Sequence, residues 1–395
     1  MRQKSKVQSP KLETAVTHHA VRITKPRYVM VGGFLGAGKT TSVARLADRL
    51  TKQGLRVGLI TNDQGSELVD TAMLRSRGFA TEEIPGGCFC CRFNSLLDAA
   101  KKLTAESRPD VFIAEPVGSC TDLVATVTYP LRRIYGEDFS IAPLSVLVDP
   151  VRAARVFGLE QGSRFSEKVL YIYRKQLEEA DLIVINKSDA IAARQLEALR
   201  SKLAEAFPQA AVLATSARTG AGLDDWFARI ESAEQNARAT MPVDYALYGE
   251  GEALLGWLNA TVALRGARGE FDGNEAVRLL ANALQRQLAA ASAEIAHLKM
   301  TLSPDEGLND LAVINLVRND HVPELSQILG DRIASGQLIV NLRAEAEPEM
   351  LAVELKSALA SIFPADGAIR ASLDHLEAFK PGQPKPTHRD VIGSL

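Results

Sequence analysis

The run Gly33-Phe34-Leu35-Gly36-Ala37-Gly38-Lys39-Thr40 constrains this chain more than any other stretch. A short β-rich segment, residues 28–32, enters it, and residues 40–50 leave it at helical spacing. A strand that turns through glycines into a helix points its backbone N–H groups inward, and the helix N-terminus adds the positive end of its dipole. Such a turn cradles phosphate oxygens. Gly33, Gly36, Ala37 and Gly38 supply the backbone, Lys39 reaches the β- and γ-phosphates, and the Thr40 hydroxyl is placed for Mg²⁺.

The pattern around this turn predicts the fold class. Compact apolar runs at residues 56–61, 111–114, 144–148, 182–185 and 212–214 alternate with helical stretches such as 96–103 and 195–207. That alternation predicts α/β architecture, a doubly wound parallel sheet covered on both faces. Ligands in such sheets bind at the carboxyl ends of the strands, so the residues after each run are the candidates for chemistry. Asn186-Lys187-Ser188-Asp189 follows one of them. A carboxylate there can accept from guanine N1–H and N2–H together, a donor pair that adenine lacks. Ser216 and Ala217 follow the next strand, with backbone N–H groups suited to guanine O6. Glu115 and Gly118 end another; the carboxylate can hold Mg²⁺ and the glycine N–H can sense a γ-phosphate. Asp149 reads as a helix cap.

Of the four cysteines, Cys88, Cys90 and Cys91 fall within four consecutive positions, directly after Gly86-Gly87. A disulfide framework spreads its cysteines along a chain, so this clustering points to metal or redox chemistry. Three such thiols suit Zn²⁺, Co²⁺, Ni²⁺ or Cu(I), and adjacent thiols also make redox sites. A glycine turn followed by Arg92 is a poor setting for core cysteines, which favours a ligand loop. Cys120 lies just beyond the 115–118 loop, which could bring it near the open position of a three-thiolate site, but a buried, inert thiol is the expectation.

The charge balance, 46 Lys and Arg against 48 Asp and Glu, offers no global field for nucleic acid or an anionic membrane, so neither is an expected partner. No apolar stretch approaches the roughly 20 residues that a spanning helix needs, and the cytoplasm is the expected compartment. Residues 1–26 read as a disordered tail, 27–236 as the nucleotide-binding domain, 237–252 as a linker, 253–378 as a smaller α+β domain of ferredoxin-like kind, and 379–395 as an extended, proline-rich tail.

Together these residues resemble the CobW group of GTPases, in the class that also holds HypB and UreG. The matching pieces are residues 33–41 (GFLGAGKTT), 61–65 (TNDQG), 87–91 (GCFCC), 115–118 and 186–189. The resemblance implies that Lys39, Thr40 and Thr41 bind phosphate and Mg²⁺. It places Glu115 and Gly118 in the Mg²⁺ loop, has Asn186, Lys187 and Asp189 read guanine, and gives Cys88, Cys90 and Cys91 the transported metal. It implies a cytoplasmic GTP hydrolase serving a client metalloprotein or cofactor enzyme, with a homodimer as a possible assembly. Departures exist. Asp63 stands where the family usually has Glu, Gln64 replaces Phe, Pro116 and Val117 replace hydroxyl residues, and residues 216–223 (SARTGAGL) resemble HypB more than CobW.

Lys39, Glu115 and Asp63 are the expected catalytic groups, with GTP and Mg²⁺ as cofactors and Zn²⁺ or another thiophilic divalent ion on the thiols. Because the cysteines lie between Asp63 and Glu115 in the chain, ordering of those segments by GTP should alter the metal site. Ser119 follows Gly118 where a catalytic glutamine could stand, so intrinsic hydrolysis should be slow. The competing readings are a GTPase that gates cobalamin or cofactor loading, and a metal-storage or redox-sensing protein.

Overall fold

A computed structural model describes residues 25–62, 74–75, 77–136, 138–236, 238–306 and 310–391. Asp63, Gln64, Gly65 and the His18-His19 pair lie outside them. Strand β1 (Arg27–Gly33) is buried along nearly its whole length, as a central parallel strand with both faces covered must be. Helix α1 (Lys39–Lys52) starts where Gly38, at φ 88°, turns the chain, and it buries Val43, Ala44, Leu46, Ala47 and Leu50 on one stripe.

The first sheet is parallel and runs β3–β2–β4–β1–β6–β7–β8, with the short β5 (Ser140–Ile141) also paired to β1. Its other strands are β2 (Val57–Asn62), β3 (Ala80–Ile84), β4 (Val111–Glu115), β6 (Ser145–Val148), β7 (Leu182–Ile185) and β8 (Ala211–Ala214). Among the helices that cover it are α2 (Phe93–Ser107), α3 (Tyr129–Tyr135), α4 (Pro150–Val156), α5 (Glu167–Glu178), α6 (Ala193–Ala206) and α7 (Leu223–Ser232).

A separate antiparallel sheet follows, ordered β12–β11–β10–β13–β9–β14. Its long strands β9 (Leu255–Gly266), β10 (Glu294–Pro304), β13 (Ser335–Glu345) and β14 (Ile369–Phe379) alternate with α9 (Gly273–Ala290) and α10 (Pro348–Ile362); β11 (Ala312–Leu316) and β12 (Glu324–Gln327) form an added hairpin. Period-2 alternation divides the sheet's two faces. Leu258, Ala260, Val262, Leu298, Met300 and Val340 pack in the core with both helices. The opposite face carries Trp257, Asn259, Thr261, Lys299 and Arg343, all buried although mostly polar.

Residues 245–252, expected to belong to a linker, fall in helix α8 (Tyr245–Leu254), which packs on α5. Asp244 starts it by accepting from the N–H groups of Ala246 and Leu247. Leu255, Trp257 and Ala296 join the core of the first sheet, so the two sheets share buried apolar contact. No helix among the described residues is long and apolar enough to cross a membrane.

Candidate functional site

Two sites lie at the carboxyl edge of the parallel sheet. The first is a cavity of ≈ 620 Å³ bounded by the glycine turn after β1, Glu115, the loop after β7 and the polar face of the second sheet. That volume falls within the range of small-molecule sites. The glycines are there for space as well as conformation. A Cβ on Gly33 (φ 129°) would lie 2.3 Å from the Leu147 carbonyl oxygen, and one on Gly38 would lie 2.4 Å from Asn186 Nδ2.

The loop after β7 lashes this turn in place. Asn186 Nδ2 donates to the Ala37 carbonyl at 2.9 Å, and its Oδ1 accepts from the Ala217 N–H at 3.0 Å. Lys187, in left-handed conformation at φ 55°, donates from Nζ to the Gly36 carbonyl at 2.7 Å. Thus Asn186, Lys187, Ala217 and the P-loop, distant in sequence, form one frame. Asp189 is paired with Arg218, which also reaches Glu324 of the second sheet at 3.0 Å. Burial raises the Asp189 pKa, but hydrogen bonds from Ser216 and Arg218 outweigh it and hold the carboxylate below its usual range. It therefore stays an acceptor.

At the phosphate end, the Thr40 hydroxyl donates to Glu115 Oε1 at 2.9 Å, and both side chains are buried. A hydroxyl and a carboxylate in contact, beside a buried Lys39, suit an Mg²⁺ ion with a polyphosphate: hard oxygen donors for the metal, a fixed cation for the phosphates. Thr41 is exposed and lines the same cavity. Gly118 is pressed onto the P-loop, where a Cβ would lie 2.9 Å from the Leu35 nitrogen.

Asp149, read from sequence as a cap, does more. It accepts from the Arg152 N–H at 3.0 Å, and it also pairs with Lys187 (3.0 Å) and with Arg318 of the second sheet's loops (3.0 Å). Burial opposes its charge, but Lys187 and Arg318 keep its pKa well below the ordinary carboxylate range. Its place at the end of the strand beside β1 was the available signal; Arg318 had none.

The thiol site sits after edge strand β3. Gly86 (φ 73°) and Gly87 (φ 149°) turn the chain, and the N–H groups of Cys91 and Arg92 close a turn on the Cys88 carbonyl before α2 begins. The Sγ atoms of Cys88 and Cys90 are 2.8 Å apart, those of Cys88 and Cys91 3.3 Å, and those of Cys90 and Cys91 3.7 Å, with all of these thiols free. Two sulfurs on one tetrahedral zinc would stand about 3.8 Å apart, given bonds of about 2.3 Å. The donor set therefore fits a thiophilic ion after a small opening.

The expectation that this loop is a poor setting for core cysteines is wrong. Cys88 and Cys90 are buried in the main core, because Phe89, Phe93 and Leu96 interleave with them and face inward. Cys91 alone is half-buried, and the proline-rich tail covers it. The Lys385 N–H donates to Cys91 Sγ at 3.2 Å, the Thr387 N–H to the Cys90 carbonyl at 2.8 Å, and the Thr387 hydroxyl to the Cys91 carbonyl at 3.2 Å. His388 meets Phe93 edge-on at 5.0 Å, and Arg389 pairs with buried Asp122 at 2.7 Å.

Connections run between the two sites. Asn62, at the end of β2, borders the nucleotide cavity and donates to the Gly87 carbonyl at 2.6 Å. The segment 115–120 starts at Glu115, which accepts from the Thr40 hydroxyl, and ends at Cys120, a fully buried thiol in the same core cluster as Cys88 and Cys90. Gln176 pins it by donating to the carbonyls of Gly118 (2.9 Å) and Cys120 (2.8 Å). The Ser119 hydroxyl donates to buried Glu252 of α8 at 2.7 Å. Burial first, and the nearby Cys88 second, push the Glu252 carboxyl well above its usual range. Hydrogen bonds from Cys120, Cys90 and Cys91 depress the Cys88 thiol, while its neighbours Cys90 and Cys120 are raised.

A parallel sheet with this glycine cradle, a Thr40–Glu115 pair and an Asn186–Asp189 loop defines a P-loop nucleotide-binding domain of the GTPase class. Residues 27–214 match the family described as "CobW/HypB/UreG, nucleotide-binding domain". The zinc chaperone CobW of Sinorhizobium sp is 34% identical over 197 residues, covering 44% of this chain and 54% of that protein. The zinc chaperone YeiR of Escherichia coli (strain K12) is 30% identical over 174 residues, covering 43% and 49%. The matches thus span about half the length of these relatives. The crystal structure of zinc-bound YjiA GTPase from E. coli aligns over 86% of this chain and 99% of that one, at 17% identity and a TM-score of 0.35.

Proposed function

We propose that this chain is a GTP-hydrolysing metallochaperone that delivers zinc, cobalt or nickel, or a metal cofactor, to a client metalloprotein. The observation that carries the reading is the single segment 115–120, which meets the Thr40 hydroxyl through Glu115 at one end and at the other ends in Cys120, buried in the same core cluster as Cys88 and Cys90. A change in the position of Glu115 or Gly118 on γ-phosphate loss is transmitted within a few residues to Cys120 and Cys88.

In this reading Asn186, Lys187, Asp189, Ser216 and Ala217 hold the guanine, and the backbone from Gly33 to Gly38 with Lys39 holds the phosphates. Thr40 and Glu115 hold Mg²⁺, whose chemistry is to neutralise charge on the phosphate oxygens. Lys39 stabilises the charge that develops during hydrolysis. Ser119 is committed to Glu252 rather than to an attacking water, which supports a slow intrinsic rate. Asp63 is proposed to position Mg²⁺ or water with Glu115. Cys88, Cys90 and Cys91 carry the metal as cargo, and the buried setting protects it from exchange.

The zinc-chaperone relatives support zinc as the first ion to try. Hydrolysis assays with GTP and ATP, paired with transfer of Zn²⁺ from the loaded chain to a chromophoric chelator before and after GTP turnover, test the reading. It expects turnover of GTP only, and faster transfer once GTP is hydrolysed. Transfer independent of nucleotide would refute it.

A further inference from the structure

Asn62 ends β2 on the border between the two sites. In the sheet, Thr61 lies level with Glu115 of β4, and Asn62 lies level with Ile84 of β3. The Asn62 side chain is buried, and its amide nitrogen donates to two carbonyls, that of Ile84 at 2.8 Å and that of Gly87 at 2.6 Å. Both neighbours are acceptors, so the nitrogen is the atom that must face them. That turns the amide oxygen away, and among the described residues Oδ1 meets no donor. A buried amide oxygen left without a donor is costly, and such an atom calls for a partner from elsewhere. A source is next to it. Asn62 lines the nucleotide cavity together with Lys39, Thr40 and Glu115.

The other end of the bridge is equally specific. The carbonyl that Asn62 holds belongs to Gly87, whose φ of 149° favours glycine, and its peptide unit leads directly into Cys88. A peptide unit is planar, so moving the Gly87 carbonyl also moves the Cys88 N–H and reorients the first thiol of the cluster. Cys88 Sγ stands 2.8 Å from Cys90 Sγ and 3.3 Å from Cys91 Sγ, so a small rotation there changes its spacing to both.

We propose that Asn62 is a positioning residue that links the nucleotide to the thiols. Its Oδ1 accepts from a water held at the triphosphate and Mg²⁺, and its nitrogen passes the resulting shift to the peptide before Cys88. The inference rests on the metallochaperone reading above and adds a route to the thiols separate from segment 115–120. Unprotonated phosphate oxygens cannot donate, and in that reading guanine lies by the 186–189 loop, so water is the donor at hand. Mg²⁺ bound with a nucleotide keeps several waters, and its proposed ligand Glu115 stands on the strand beside Asn62. The side-chain amide is planar for the same reason a peptide is, so a pull on Oδ1 carries Nδ2 with it. A purely structural Asn62, tying β2 to the cysteine turn, would instead act alike in every nucleotide state. The two roles therefore separate.

The test measures Zn²⁺ affinity of the full chain by chelator competition, with Mg²⁺ and either a non-hydrolysable GTP analogue or GDP. Wild type is compared with two variants. Asn62→Ala removes both ends of the bridge, and Asn62→Asp keeps an acceptor but has no N–H for the two carbonyls. The proposal predicts that the ratio of the two affinities shrinks about fivefold in each variant, as loss of one hydrogen bond implies. Affinity lowered equally in both states, with the wild-type ratio kept, overturns Asn62 as the link and leaves the metallochaperone reading standing. Equal affinities in wild type overturn both. Should the variants not fold, nuclear magnetic resonance of the isotope-labelled, unaltered chain decides. An Asn62 side-chain amide signal that shifts between GDP and the analogue supports the proposal, and one that is the same in both overturns it.

Discussion

The nucleotide site and the thiol site share one edge of one sheet but are built on opposite principles. The first is an open cavity whose walls are backbone and charge: glycines, Lys39, the Thr40–Glu115 pair, and Asp149 balanced between Lys187 and Arg318. The second is closed, with two thiols in the core and a third under the tail. An open polar site admits and releases a ligand with little rearrangement. A closed apolar one holds its ligand until something else moves. Under the proposed function, the first site exchanges nucleotide freely and the second gives up its metal on command.

The largest effect should come from the open site. Lys39→Ala removes the fixed cation from the phosphates and should lower GTP turnover at least about 100-fold, as loss of a transition-state donor does. Metal binding by the nucleotide-free chain should be unchanged, which calorimetric titration with Zn²⁺ checks. A simultaneous loss of metal binding would erase the separation between the two sites.

Asp189→Asn sharpens the same contrast. Replacing the acceptor carboxylate by an amide removes charge-assisted bonds worth about 1.5–3 kcal/mol each, so GTP affinity should fall at least roughly tenfold. The amide N–H can instead serve the xanthine carbonyl, so XTP should gain where GTP loses. Equal loss for both nucleotides would mean that Asp189, already paired with Arg218, does not read the base.

The closed side has its own titrating group. Glu179, directly after α5, accepts from the Val124 N–H at 3.0 Å and from the Thr121 hydroxyl, in the stretch that follows Cys120. Burial, with help from Asp122, raises its pKa to about 8 against 4.5 for the free group. The folded chain thus binds this proton more tightly than the unfolded one. Its contribution is fully present below about pH 4.5 and is lost as pH climbs through 8. Glu179→Gln should flatten the stability profile across that window in urea unfolding followed at several pH values. An unaltered slope would show that Glu179 is already ionised.

The smallest expected change concerns the strap. Lys385→Pro deletes the N–H that meets Cys91 Sγ and leaves Thr387 and Arg389 in place. The lost hydrogen bond is worth about 1 kcal/mol, so alkylation of Cys91 in the metal-free chain should accelerate several-fold. Unchanged reactivity would show that this contact does not cover the thiol.

The two regions also differ in how legible they were. The glycine turn, Glu115 and the 186–189 loop could be read because phosphate and guanine recognition need particular residues at short spacings. The central strands announced themselves as unbroken apolar runs. Strand β3 (ATEEI) was missed because an edge strand need not be apolar on both faces. The cysteines were found, but their burial was misjudged: Gly86, Gly87 and Arg92 were read as surface, while Phe89 and Phe93 decided the packing. The strap, the Arg318–Asp149 pair and the Ser119–Glu252 bond join positions more than a hundred residues apart. No periodicity marks such contacts. A proline-rich run says that a segment is extended, not what it lies upon.

The central claim is that the phosphate state is felt at the thiols through segment 115–120. Zn²⁺ affinity of the full chain, measured by chelator competition with Mg²⁺ and either a non-hydrolysable GTP analogue or GDP, tests it most directly. The account predicts tighter binding with the analogue, by roughly 5–150-fold, the ordinary range for coupled sites. Equal affinities in the two nucleotide states would contradict it.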